Sequence, residues 1–262
     1  MKRIVFTLVC LAVLFATVTE ASADCRVVSL MYHNVTRSSE RWDDWCISPD
    51  TLEEDINYFR DRGFITLTAT ELAEEKYETL DGKDILLLTF DDGYIGWYDE
   101  VFPVLKKLQA KATMFVVGGF INRYGYMGEN QIWEISQSGL VEIGNHTDHI
   151  HQMPLDTLKG LYAEGRTDDI VTDIKNNGKK LEKITGKPVT SISWPYGYTT
   201  KNFDNAVKKN LGYKISFSTA YGVNRFGGDL SVLFNRINRP AGISSEQLYS
   251  NAVKLFDSIQ RH

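Results

Sequence analysis

Five histidines occur in 262 residues, and three of them crowd one short segment, Asn145-His146-Thr147-Asp148-His149-Ile150-His151. The other two are His33 and the terminal His262. A second cluster is the carboxylate pair Asp91-Asp92 in Thr89-Phe90-Asp91-Asp92-Gly93. Two neighbouring carboxylates at the tip of a buried strand repel, and desolvation penalises each charge further; a divalent cation relieves both costs. Two imidazoles and one carboxylate around such a cation leave a position open for water, the arrangement of a catalytic rather than a structural site. The remaining carboxylate, beside the ion but off it, is then a natural general base. Taken alone, an Asp-Asp-Gly after a strand is more commonly a turn and helix N-cap, and a His-rich segment can be a solvated loop. Both groups at matching strand ends favour a metal site.

The elements that must position these groups alternate along the chain. Arg26 to Met31 reads as a strand, and Asp50 to Arg62 as a helix with Leu52, Ile56 and Phe59 on one face and Gly63 as its stop. The continuous apolar run Ile85 to Phe90 marks a strand buried on both faces. Helical spacing from Trp97 to Leu108 follows, then strands at Ala112–Val117 and Glu142–Asn145. A long helix is expected over Asp168–Ile184, a strand over Val189–Trp194 and a helix over Phe203–Leu211. Strands at Tyr213–Ser218 and Phe234–Asn238 precede a last helix from Ser244 to Ile259, where Ser244 and Gln247 form a capping box. This alternation predicts a single α/β domain with a mostly parallel sheet, either a barrel or a doubly wound sheet. In both architectures function collects at the C-terminal ends of the strands, where Asp91-Asp92 and the histidine segment fall.

The net charge of −5 argues against a nucleic-acid partner. Lys2 and Arg3, the apolar run Ile4 to Val18 and Ala21-Ser22-Ala23 have the layout of a secretory signal peptide. Cleavage after Ala23 makes residues 1–23 the signal and 24–262 the working domain, secreted or periplasmic; it removes two bases and one acid and leaves a charge of −6. No later segment is apolar over a bilayer's width, so no stable membrane insertion is expected after cleavage. Cys10 lies in the signal. Cys25 and Cys46 are either a disulfide that ties down the new N-terminus, worth ~2–4 kcal/mol, or two structural thiols.

Thr89-Phe90-Asp91-Asp92-Gly93-Tyr94 resembles the first motif of the polysaccharide deacetylase (NodB-homology) family, carbohydrate esterase family four. Pro103-Val104-Leu105-Lys106 and Lys111 to Val116 are similar to its next helix and strand, Glu142 to Thr147 to its histidine motif, and Trp194-Pro195-Tyr196-Gly197 to its third motif. Met31-Tyr32-His33-Asn34-Val35 and Arg236-Ile237 resemble the subgroup acting on poly-N-acetylglucosamine-like exopolysaccharides. The resemblance implies a distorted (β/α) barrel with an incomplete strand count and metal-dependent removal of N-acetyl groups from an N-acetylglucosamine-containing polysaccharide. Carried over by position, it makes Asp91 the general base and Asp92 and His146 metal ligands. The family's commoner step of four from the first histidine lands on Ile150; the subgroup's step of five lands on His151, with His149 the competitor. Zn²⁺ is the expected ion, and Co²⁺ or Ni²⁺ also suits this donor set. Trp194, Pro195, Tyr196 and Arg236 are the expected substrate-binding residues, with Tyr196 also offering a backbone N–H to an oxyanion.

The sequence departs from the family in two places. Trp194 stands where most members carry an arginine that pairs with the catalytic base, as it does in the exopolysaccharide subgroup; its role is packing or a sugar-stacking wall. The late Leu-x-x-His motif that supplies the general acid is absent, and His33, at the end of the first predicted strand, is the candidate for that role. These departures leave a second reading, a degenerate glycan-binding member of the same fold without turnover. A third, unrelated reading takes His146-Thr147-Asp148 as half of an Fe(II) facial triad; it requires a distal histidine, for which only His262 is available, and it leaves Asp91-Asp92 unexplained.

Overall fold

The computed structural model describes residues 25–75, 77–80 and 82–259. The expected signal segment and His262 lie outside the described residues. In chain order the elements are β1 (Cys25–Tyr32), β2 (Asn34–Val35), β3 (Cys46–Ile47), α1 (Pro49–Arg60), β4 (Phe64–Thr66), α2 (Ala69–Glu74), α3 (Tyr77–Leu80), β5 (Asp84–Asp92), α4 (Phe102–Leu108), β6 (Ala112–Val116), α5 (Glu129–Gln137), β7 (Val141–Asn145), α6 (Leu155–Ala163), α7 (Thr167–Thr185), β8 (Ser191–Ser193), α8 (Lys201–Leu211), β9 (Ile215–Tyr221), β10 (Asn224–Phe226), β11 (Leu233–Asn238) and α9 (Ser245–Ile259).

Seven parallel strands run in the order β1-β11-β9-β8-β7-β6-β5, and β5 pairs back onto β1 from Arg26↔Asp84 to Tyr32↔Phe90. That pairing closes the sheet into a barrel and decides between the two architectures the alternation allowed. With seven strands in the ring rather than the usual eight, the strand count is incomplete, as the resemblance implied. The short β4 sits beside the first three residues of β5, before β6 takes that edge over, and β10 pairs antiparallel with the start of β1.

The period of two along each strand sorts side chains into two cores. Val28, Leu30, Leu86, Leu88, Phe90 and Met114 face the surrounding helices. Val27, Ile85, Leu87, Phe115, Phe217 and Phe234 form a separate cluster with Leu72 of α2 and Leu80 of α3, the filling of the barrel. Each such side chain taken out of water contributes ~1.5–3 kcal/mol. The same inward phase continues along β5 as Thr89 and Asp91, so the barrel turns from apolar to polar along its axis. At the C-terminal end the interior holds buried Thr89, Asp91, Ser193, Ser218 and Arg236.

Local signals explain the helix ends. Ser48 caps α1 by accepting the Thr51 N–H at 2.9 Å. Gly186 and Gly212 end α7 and α8 at φ of 70° and 80°, where a Cβ would be strained. Half of the expected box at α9 forms, with the Gln247 N–H donating to Ser244 Oγ at 3.2 Å. No helix of the described residues is long and apolar enough to cross a membrane.

The Cys25–Cys46 disulfide is not formed. Cys25 begins β1 at the closed end of the barrel, where its thiol donates to the Leu80 carbonyl at 2.8 Å. Cys46 pairs with Asn34, beyond the far end of the same strand. At ~3.3 Å per residue, β1 holds the two sulfurs ~20 Å apart, well past the ~7 Å Cα limit for a bridge.

Candidate active site

Asp91 points into the barrel and is met there by a side chain 145 residues later in the sequence. Arg236 of β11 donates from Nη1 to Asp91 Oδ1 at 2.8 Å and from Nη2 to Oδ2 at 2.7 Å. Its remaining donors reach the Ser218 carbonyl at 2.8 Å, Ser193 Oγ at 2.9 Å and Thr89 Oγ1 at 3.3 Å. One fully buried guanidinium thus ties β5, β8, β9 and β11 together, and its planar fork matches the carboxylate in two bonds. Burial alone would raise the Asp91 carboxyl, but Arg236, aided by His146, overrides it and holds the group well below the usual carboxylate range. Asp91 is therefore ionised at neutral pH.

Asp92 leaves the strand at φ 90°, a left-handed conformation that turns its carboxylate away from Asp91 toward the histidine segment. His146 follows β7 and accepts no choice of tautomer: its Nδ1 lies 2.7 Å from the Ser193 carbonyl, so Nδ1 carries the proton and Nε2 the lone pair. That Nε2 is 3.6 Å from Asp92 Oδ1 and 3.8 Å from Asp91 Oδ2. His151 Nε2 is 3.2 Å from the same Asp92 oxygen. Burial pushes His146 down to about 4 against the pull of Asp91, which keeps the imidazole neutral and its lone pair available. Burial works to raise the Asp92 carboxyl, and the nearby His151 and His146 override it and hold the group low.

Asp92, His146 and His151 form the one three-residue cluster of ligand atoms among the described residues, all within 4.8 Å of one another. The fit to a divalent ion can be tested on separations. Ligands at ~2.1 Å in a tetrahedron lie ~3.4 Å apart, against 3.2 and 3.6 Å here. Asp92 Oδ1 is also buried with no satisfactory hydrogen-bond partner, which a cation would supply. The donor set and its spacing fit such an ion.

The histidine segment is held from behind by one face of α7. Asp173 accepts three successive backbone N–H groups, from Asp148 at 2.6 Å, His149 at 2.8 Å and Ile150 at 3.3 Å. One turn on, Asn177 donates to the Val116 carbonyl and to Asn145 Oδ1, both at 2.9 Å, and Asn145 in turn accepts the Thr147 N–H at 2.7 Å. Lys180 pairs with Asp148 at 2.5 Å. These contacts pin Thr147 at φ 66°, and its hydroxyl accepts the His151 N–H at 3.2 Å. Asp92, Thr147 and Tyr196 (φ 57°) are three of five non-glycine residues at positive φ among those described. Each costs ~1–3 kcal/mol and persists where surrounding structure over-determines it.

Of the expected site residues, Asp91, Asp92, His33, His146, His151 and Tyr196 line a single cavity of about 600 Å³. His33 contacts Trp45 edge-on at 4.7 Å, and its Nδ1 is buried without a partner. Burial lowers its pKa against the opposing pull of Asp91 and Asp92. His149 points away, its ring 65% exposed beside Asp148, so the geometry brings in His151 instead. Asp148, engaged by Lys180, is outside the ligand cluster, which removes the facial-triad reading.

Three expected substrate-binding residues are corrected. Trp194 is 1% exposed and its indole N–H donates to Asp204 at 2.7 Å, so no ring face is open to a sugar. Pro195 is likewise buried. Arg236 spends its donors inside the barrel, where it supplies from β11 the arginine–aspartate pairing that the position of Trp194 lacks. Tyr196 remains: 44% exposed, its ring stacks on His151 at 5.4 Å and its hydroxyl donates to the His151 and Met153 carbonyls at 3.0 Å. Ser193, Asp173 and Asn177 carried no signal in sequence, because each acts through a partner far along the chain.

A closed parallel barrel with carboxylates and imidazoles gathered at the C-terminal strand ends defines a (β/α)-barrel enzyme. Residues 79–216 match the family model described as polysaccharide deacetylase, and the chain belongs to that family. YxkH of Bacillus subtilis is 29% identical over 198 residues, covering 74% of this chain; the chain spans 64% of that relative's length. The poly-beta-1,6-N-acetyl-D-glucosamine N-deacetylase of Staphylococcus aureus strain MSSA476 is 24% identical over 208 residues, 73% of this chain and 71% of that one. Among solved structures, that of IcaB from Ammonifex degensii superposes with a TM-score of 0.71 at 26% identity, covering 87% of this chain and 97% of the other.

Proposed function

We propose that the protein is an exported, metal-dependent N-deacetylase that releases acetate from an N-acetylglucosamine-containing polysaccharide. The observation that carries this reading is the convergence of Asp92, His146 and His151 beside an ionised, arginine-clamped Asp91 in one cavity. Asp92, His146 and His151 would hold a divalent ion, Zn²⁺ by its donor preference with Co²⁺ or Ni²⁺ as alternatives, which would supply Lewis acidity toward an acetyl carbonyl and toward water. Asp91 accepts the proton of the attacking water, oriented for that task by both arms of Arg236. The backbone N–H of Tyr196 donates to the developing oxyanion. His33, which burial favours in its neutral form, takes up a proton from water in the cavity and hands it to the departing amine, while the proton taken by Asp91 returns to solvent. The name of the Staphylococcus relative supports a poly-N-acetylglucosamine substrate. The basic, apolar, small-residue layout of positions 1–23 supports export.

The glycan-binding alternative drew its weight from the arginine missing at Trp194 and from the absent Leu-x-x-His motif; Arg236 supplies the first from another strand, and the absent motif still speaks for the alternative. Acetate release across a panel of acetylated glycans tests the proposal. Wild type is expected to release acetate, chelation to stop it, and Asp92→Ala to lower it by ~10³-fold or more, the range that removing a catalytic metal's support commands. Full activity of chelated Asp92→Ala contradicts it, and glycan binding without acetate release favours the alternative.

A further inference from the structure

The cavity of about 600 Å³ is far larger than the acetamide whose bond is broken, and part of its lining has no task in that chemistry. Between β2 and β3 the chain projects a loop over the mouth. Trp45 of that loop lines the cavity while 53% exposed. Its backbone is pinned on both sides: the Asn34 N–H donates to the Trp45 carbonyl at 3.0 Å, and the Trp45 N–H donates to Asp43 Oδ1 at 2.8 Å. The loop is held to the barrel by the Ala241 N–H on the Asp43 carbonyl at 3.0 Å and by Asn238 on the Asp44 carbonyl at 3.0 Å. Trp42 clamps it further through its indole N–H on the Thr36 carbonyl at 2.8 Å.

A large aromatic ring on a pinned backbone, half in water, at the rim of the cavity is an anchor ready for a ligand's apolar face. Its ring meets that of His33 in a T-shaped contact, centroids 4.7 Å apart and planes at 77°, and still keeps about half its surface exposed. Arg41 and Asp43 flank it in the same lining: the guanidinium makes no ion pair among the described residues, and the carboxylate has a second oxygen beyond the one Trp45 uses. A pyranose ring matches this grouping. Its C–H bonds give it an apolar face for the indole, and its hydroxyls reach a donor and an acceptor at the edge.

Resting on the deacetylase reading above, we propose that Trp45, with Arg41 and Asp43, is a stacking subsite for the sugar unit adjacent to the one being deacetylated. Chain-length preference then comes from this loop, while Tyr196 and the ligand cluster act on the reacting unit. Calorimetric titration of the full chain with N-acetylglucosamine and with its hexamer tests it. Trp45→Ala is expected to weaken the hexamer about fivefold to tenfold while the monomer shifts less than twofold, the scale of one aromatic stacking contact. Trp45→Phe retains most of the hexamer affinity. Trp133→Ala, at 54% exposure an equally open tryptophan outside this lining, leaves it at the wild-type value. Hexamer affinity unchanged in Trp45→Ala, or equal losses for monomer and hexamer, overturns the subsite. Acetate release measured alongside separates the two readings: release with no Trp45 effect sinks the subsite alone, and Trp45-dependent binding with no release sinks the deacetylase reading alone.

Discussion

Asp91 and Arg236 act as one unit, because neither charge is tolerable in the barrel without the other. Removing one partner of a buried pair leaves an uncompensated charge and costs ~3–5 kcal/mol. The sign of the pH dependence follows from the depressed carboxyl: the pair contributes stability above the unfolded value near ~4 and loses it as pH falls through the lower folded value. Arg236→Met is therefore expected to destabilise the protein by ~3–5 kcal/mol at neutral pH and to raise the Asp91 carboxyl. The acid limb of the acetate-release profile then moves to higher pH. Urea unfolding and a pH–rate profile measure the two effects. Adding Asp91→Asn to Arg236→Met recovers part of the stability and none of the activity. An Arg236→Met protein with wild-type stability and an unmoved acid limb contradicts the assignment.

At the scale of elements, β7 presents the histidines and α7 holds them in place. Asp173 acts through backbone N–H groups only, so it touches no reacting atom and is a positioning residue. Outer contacts of this kind typically set metal affinity by 10–100-fold. Asp173→Ala is expected to weaken metal binding by ~10–100-fold with little change in the unfolding midpoint of the metal-free protein; Asp173→Asn, which keeps one acceptor oxygen, falls between. Equal metal affinity in wild type and Asp173→Ala rules the role out. The helix itself was legible in sequence from its apolar stripe and Gly186, but its polar face was not: Asp173, Asn177 and Lys180 look like any solvated surface until the loop packs on them. Strands such as β5 were legible because burial on both faces leaves a continuous apolar run. β4, α2 and β10 escaped because three to six residues show no period, and α5 and α6 because their apolar faces are narrow.

At the scale of the molecule, closure of seven strands through β1 and β5 brings distant segments to one rim. The ligand cluster was legible because histidine is rare in this chain, and because the His segment and the Asp91-Asp92 pair both fall at the ends of buried strands. The partner of Asp91 was not: a lone arginine in β11 gives no local sign of whether it faces a sugar or the barrel interior. The choice between a Cys25–Cys46 bridge and two structural thiols was closed to sequence for the same reason, since nearness in sequence hides the full strand length between them. The central claim is that Asp92, His146 and His151 trap one divalent ion. Calorimetric titration of the metal-free protein with Zn²⁺ tests it most directly. One ion per chain is expected, lost in His151→Ala and kept in His149→Ala; no stoichiometric binding, or loss in His149→Ala with retention in His151→Ala, contradicts it.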